Sequence, residues 1–244
     1  MKKVVAGEID RITPLGLTAE EAQAWYRGHV LTPALRRGST AAAIASLMLL
    51  AMYTPLDAFL EETLAAHMVA QHFLFIPAGF LYAYATALIL LVASRISSRG
   101  SRVRGVFQRI NSAVNKRGVI TFAIAALLIA YWYIPTNFDA AVRAVGVHLE
   151  MHLSFVMAGA LTFIGSTMLT KSMRRIAPVV VGKAMGLYGM FLLLTQLNFY
   201  PVYPISQQSD AGVVLLLIML LIDFTIVPVW LYKYFGKGSM PPTL

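Results

Sequence analysis

His72-Phe-Leu-Phe75-Ile-Pro-Ala78-Gly79-Phe-Leu81 and His152-Leu-Ser-Phe155-Val-Met-Ala158-Gly159-Ala-Leu161 align without a gap and share the histidine, one phenylalanine, the alanine, the glycine and the final leucine. Both stretches lie on long apolar segments, so each places an ionisable ring where lipid is expected. The same offset pairs Tyr53 with Tyr133 and Pro55 with Pro135. We read two tandem helical hairpins descended from one unit, about residues 40–95 and 120–175, with His72 and His152 at equivalent depth.

The rest of the chain agrees with a membrane setting. Hydrophobic residues make up 58% of it and charged residues 13%, against roughly 25% charged in a soluble domain, and the mean hydropathy is +0.69. Crossing a ~30 Å hydrocarbon core takes about 20 helical residues. Apolar runs near 39–56, 63–93, 118–135, 140–170, 178–198 and 210–232 meet that need. Unpaired backbone groups are costly in lipid, and nothing alternates with the period of two that a barrel requires. The expected fold is an all-α integral membrane protein, a six-helix transmembrane bundle with an internal tandem helical-hairpin repeat. Residues 1–38 form an N-terminal arm, 39–234 the transmembrane domain and 235–244 a C-terminal tail.

The net charge of +9 is arranged as topology demands. Lys2, Lys3, Arg11, Arg27, Arg36 and Arg37 precede the first span. Arg95, Arg99, Arg102, Arg104, Arg109, Lys116 and Arg117 follow the second, and Lys171, Arg174 and Arg175 follow the fourth. The other connections hold Asp57, Glu61, Glu62, Asp139 and Asp210, with Arg143 as their one basic residue. Basic loops stay cytoplasmic, so both termini are expected inside and nucleic acid is not an expected partner. There is no cysteine, which excludes disulfides, thiolate ligands and thiol nucleophiles. No apolar h-region follows Lys2 and Lys3, so the first span is expected to direct insertion.

Two interfacial helices are expected. Thr18-Ala-Glu-Glu21 reads as a capping box, followed at helical spacing by Trp25, Tyr26, His29 and Val30, with His29 a solvated surface residue. In the basic connection, Val103, Phe107, Ile110 and Val114 recur every three or four residues between arginines, as in a helix lying on anionic membrane lipid. Within the second long segment, Pro77 removes one backbone hydrogen bond and should distort the helix. Gly79 and Gly159 allow helices to approach closely.

Four of the five histidines, His67, His72, His148 and His152, fall in the outer half of the two long segments. A cluster of ionisable residues on repeat-related helices points to a site. His148 and His152 are spaced i, i+4 and share one helix face, a standard way to present two nitrogens to one metal. His67 and His72, at i, i+5, lie about 140° apart unless a π-bulge adds a residue to the turn. The repeat equivalent of His148 is Met68, which is i, i+4 from His72. The candidate metal set is therefore His72, His148 and His152, with Met68 and His67 competing for a fourth place. Imidazole with thioether favours copper; zinc would accept the imidazoles, and a single b-type haem bridged by His72 and His152 is sterically allowed. Glu150 is about 200° from His148 around the helix and cannot join it, and the string is not the HExxH of zinc proteases.

Secondary candidates are Asp223, an intramembrane carboxylate; Gln207, Gln208 and Asp210, with Asp210 as a helix N-cap; and Met52, Met151 and Met157 as packing or soft-metal residues. Tyr200, Pro201, Tyr203 and Pro204 read as a rigid interfacial loop. No P-loop and no nucleophile constellation is present.

His67-Met-Val-Ala-Gln-His72-Phe-Leu-Phe75 and His148-Leu-Glu-Met-His152-Leu-Ser-Phe-Val-Met-Ala-Gly159 resemble the paired-histidine strings of the CtaG-type family of cytochrome c oxidase assembly factors. Gln207-Gln-Ser-Asp-Ala-Gly212 is similar to that family's acidic, glutamine-rich start of a late helix. The resemblance runs from residue 50 to about 220. The first pair is one residue further apart than in the family pattern, and Gln207 stands where an aspartate is expected, as in a divergent, archaeal-type relative. It implies a polytopic, non-enzymatic accessory or assembly factor that handles copper for a copper-containing membrane oxidase or oxygenase, with His67, His72, His148 and His152 as its matching positions. A haem-bearing electron-transfer subunit and a structural subunit of a membrane oxidase or monooxygenase complex are the competing expectations.

Overall fold

The computed structural model describes residues 19–50, 55–195 and 197–235, and among them every regular element is helical. In chain order they are α1 Ala19–Tyr26, α2 Thr32–Leu50, α3 Pro55–Glu61, α4 Leu64–Ala70, α5 Ile76–Ile96, α6 Ser98–Val114, α7 Val119–Trp132, α8 Pro135–Arg143, α9 Val145–Met168, α10 Lys171–Thr195 and α11 Ile205–Phe235. A π-turn at Arg27–Leu31 joins α1 to α2, and another at Gln71–Phe75 joins α4 to α5. Thr18, Met52, Tyr53 and the tail from residue 236 onward lie outside the described residues.

Four helices are long and apolar enough to cross a membrane: Leu64–Arg95, Val145–Met168, Ser172–Thr195 and Ile205–Thr225. Arg27–Leu50 with Pro55–Glu61, and Val119–Trp132 with Pro135–Arg143, bring the number to six if each interrupted pair is one span. The chain is thus a multi-pass, all-helical membrane protein with four to six candidate spans.

Several boundaries differ from those expected. The segment 140–170 is divided, because Ala144 is extended (φ −130°, ψ 114°) and ends α8 before α9 begins. Helix α10 starts at Lys171, seven residues before the expected 178, and keeps Pro178 inside it; the basic residues of its first turn lie before the apolar part of the helix in the sequence. Helix α11 starts at Ile205, so Asp210 lies a turn inside it and is not its N-cap. The distortion expected at Pro77 takes the form of the π-turn immediately before it, where one extra residue per turn makes room near a ring that cannot donate.

The chain divides into two compact units. Of the described residues, the first comprises 19–50, 74–127 and 155–168. In it α2 packs on α5, with Ser46 and Tyr82 hydroxyls 2.7 Å apart. A Cβ placed on Gly79 would overlap the Val156 carbonyl, and one on Gly159 the Ile76 carbonyl. Gly79 and Gly159 therefore let backbone touch backbone, the contact by which membrane helices associate without a hydrophobic drive. Ser97 caps α6 by accepting from the Gly100 amide at 3.1 Å, and Arg104 reaches back to Ser94 at 3.2 Å. On α6, Val103, Val106, Phe107 and Ile110 are all exposed on one face, as the amphipathic pattern requires.

Of the described residues, the second unit comprises 55–73, 128–154, 169–195 and 197–235. Here α10 and α11 pack along Gly182, Gly186 and Gly189; the Gly212 carbonyl would sit only 2.7 Å from a Cβ on Gly189. Lys183 on α10 pairs with Asp223 on α11, which answers the question raised by an intramembrane carboxylate: it has a cationic partner one helix away.

Candidate metal centre

All the histidines of interest belong to the second unit, and four segments of chain position them. Thr63 opens α4, accepting from the Ala66 amide at 3.2 Å, and this helix carries His67 and Met68. The first two turns of α9 carry His148, Met151 and His152. Helix α3 contributes Asp57 and Glu61 at i, i+4 spacing, and the connection between α10 and α11 contributes Tyr200 and Tyr203.

One ring nitrogen from each of His67, His148 and His152 lies within 4.8 Å of the others. The His148 and His152 rings meet edge to face at 4.1 Å, while the His67 ring is 5.7 Å from the first and 6.3 Å from the second. A second overlapping group joins Asp57 and Glu61 to His148 and His152 within the same 4.8 Å limit. Ligand atoms around a tetrahedral ion with ~2.0 Å bonds are ~3.3 Å apart, so side-chain adjustments of about 1 Å close either set on a metal.

The donors differ in what already occupies them. His148 Nε2 faces the Glu61 carboxylate and lies 3.8 Å from Asp57 Oδ2, and the residue also hydrogen-bonds the Ala141 backbone. His67 is 1% exposed, and its Nε2 has no hydrogen-bond partner. A buried polar atom left unpaired costs about 1–3 kcal/mol, and metal coordination is one way of recovering it. This is the observation by which the residues fit a metal: three converging imidazoles, one with a bare buried nitrogen, beside two carboxylates.

The sequence-predicted residues do not all arrive together. His67, His148 and His152 do, whereas His72 does not join their nitrogens. Its Nδ1 lies 2.8 Å from the Met68 carbonyl, and its ring stacks on Tyr133, whose hydroxyl is 3.3 Å from Nδ1 and 3.4 Å from Nε2. His67 and His72 diverge because five residues of helix separate their directions; the π-turn begins at Gln71, too late to bring them onto one face. Met68 is buried, and what it supplies here is that carbonyl. Met151 accepts a hydrogen bond on sulfur from Gln71 Nε2 at 3.3 Å. Glu150 is exposed on the opposite face, and His29 is exposed on the arm.

Glu61, Asp57 and Tyr203 were missed as site residues. The two acids were legible only as i, i+4 carboxylates six and ten residues before His67, a pattern that also marks ordinary extramembrane loops. The late glutamines turn out to organise the support. Gln207 Oε1 accepts from the Leu64 amide at 3.3 Å, satisfying an open donor at the start of α4. Gln208 Oε1 takes the Phe199 and Tyr200 amides at 2.9 and 3.1 Å, and its Nε2 donates to the Tyr200 and Tyr203 carbonyls, both at 3.1 Å. Buried Tyr203 consequently stands against the site. Burial first, and the Glu61 charge second, push its phenol well above the ordinary value, so it remains a neutral hydroxyl.

A family model described as cytochrome c oxidase caa3 assembly factor (Caa3_CtaG) matches residues 22–235. None of the curated proteins and none of the solved structures matches the chain.

Proposed function

The chain belongs to the cytochrome c oxidase caa3 assembly factor family, and on that premise we propose that it is a copper-binding accessory factor that passes metal to a copper-containing membrane oxidase or oxygenase. The observation that carries the reading is the convergence of His67, His148 and His152, with His67 Nε2 buried and unpartnered. Copper is cargo in this reading, not a reacting cofactor, and the protein is not an enzyme. His67, His148 and His152 hold the ion, while Glu61, half-buried beside His148, supplies a fourth, exchangeable donor. Imidazole suits copper and zinc alike; copper is chosen because the family serves an oxidase.

We place this site in the extracytoplasmic half of a six-span bundle with both termini cytoplasmic, following the basic residues, and take the two hairpins to be a tandem repeat. The exposed apolar face of α6, flanked by Arg99, Arg102 and Arg109, would rest on anionic lipid headgroups. A haem bridged by His72 and His152 is a weaker reading, since His72 is engaged by Met68 and Tyr133.

Metal analysis and an absorption spectrum of the purified full chain test the proposal. One copper per chain, no Soret band, and loss of copper in His148→Ala are expected. A Soret band would favour haem, and failure to take up copper or zinc would leave the histidines a structural role.

A further inference from the structure

We propose that Tyr203 is a positioning residue that locks His67 in the tautomer protonated on Nδ1, so that the bare Nε2 is the atom His67 offers to a metal. The inference rests on the metal-site reading above, but its geometry is independent of any ion. A phenol has one hydrogen and can donate it once. The Tyr203 hydroxyl lies 3.0 Å from the Glu61 carbonyl, which can only accept. Glu61 ends α3, where carbonyls lack helical partners, so this acceptor has a need of its own. The same hydroxyl lies 3.2 Å from His67 Nδ1. With its hydrogen committed to Glu61, the phenol oxygen can meet Nδ1 only as an acceptor, and Nδ1 must carry the N–H.

A neutral imidazole holds one N–H, so Nε2 is left with its lone pair. Nε2 is the nitrogen that lacks a hydrogen-bond partner. The opposite tautomer would set two lone pairs against each other at Nδ1 and bury an N–H at Nε2 with no acceptor. Tyr203 can hold this geometry because its own backbone is held: its amide donates to the Tyr200 carbonyl at 2.9 Å and its carbonyl accepts from Gln208 at 3.1 Å. Outer partners of this kind orient metal-binding histidines and tune affinity. Here the partner is a phenol relayed to a helix end, supplied by a segment more than a hundred residues away in sequence.

The test is nitrogen-15 NMR of the histidine rings in the metal-free full chain, with His67 assigned by its loss in His67→Gln. The expected wild-type spectrum has a protonated Nδ1 and an unprotonated Nε2 at His67. In Tyr203→Phe the His67 signals should move to the Nε2–H form or to a mixture, and copper affinity by chelator competition should fall about 10-fold. A wild-type His67 protonated on Nε2 overturns the proposal even if Tyr203→Phe fails to fold, and so does a Tyr203→Phe protein that keeps Nδ1–H. The Nδ1–H form in a chain that takes up no metal would sustain the tautomer lock and overturn the metal-site reading, so the two failures are distinct.

Discussion

The Glu61 carboxylate lies directly against Nε2 of His148, and Asp57, one turn earlier on the same short helix, brings Oδ2 to 3.8 Å of that nitrogen. Two segments remote in sequence thus meet at a single donor atom, and their difference in distance orders their effects. Glu61→Gln, which keeps the shape and removes the charge, should weaken copper binding about 10- to 100-fold. Asp57→Asn should weaken it by less than about 10-fold. Chelator competition on both variants measures this, and equal affinity in Glu61→Gln and wild type would remove Glu61 from the site.

His72 should prove structural. His72→Ala loses the bond to the Met68 carbonyl and the Tyr133 contact, at a cost of about 1–2 kcal/mol in unfolding stability, while copper per chain stays at the wild-type level. His67→Ala and His152→Ala should each lose most of the metal. Metal content of the three variants side by side decides the ligand set, and a His72→Ala protein without metal would restore the set expected from the sequence.

Gly79 and Gly159 set the closest backbone approach in the first unit. A methyl group at either meets a carbonyl and not the end of a yielding side chain, so Gly79→Ala and Gly159→Ala should each lower stability by about 3 kcal/mol. Thermal unfolding in detergent reads the effect. Gly146→Ala, where nothing lies within 4 Å, serves as the control and should leave the midpoint within a degree or two of wild type.

Lys183 and Asp223 form an ion pair between α10 and α11. Lys183→Met or Asp223→Leu alone leaves one charge facing apolar surroundings, costing about 2–3 kcal/mol. The double variant should recover most of that loss, because replacing both members removes the uncompensated charge. Stability no better in the double variant than in the singles would show that the pair has a further task.

Much of the fold was legible because the signals that encode it are local. Long apolar runs, the i, i+4 spacing of His148 and His152, the amphipathic pattern of α6 and the glycines at 79 and 159 each report on one helix or one crossing. Boundaries were less so: Ala144 and the start of α10 depend on how neighbouring segments accommodate the backbone, and apolar content alone does not mark where a helix begins. Of the candidate site, only part was legible. The paired histidines of α9 stood out from spacing, whereas Glu61 and Tyr203 carried no motif and entered through contacts across the unit.

The amino-acid sequence by itself determined that this is a helical membrane protein, that four of its five histidines gather on two segments, and that two of them share a face. Only the tertiary structure decided that His67 and not His72 meets that face, that Glu61 and Tyr203 complete the surroundings, and that Asp223 has Lys183. The physical reason is that a helix's period of 3.6 residues relates side chains along one cylinder, while the rotation of one cylinder against another is set by the packing of the whole.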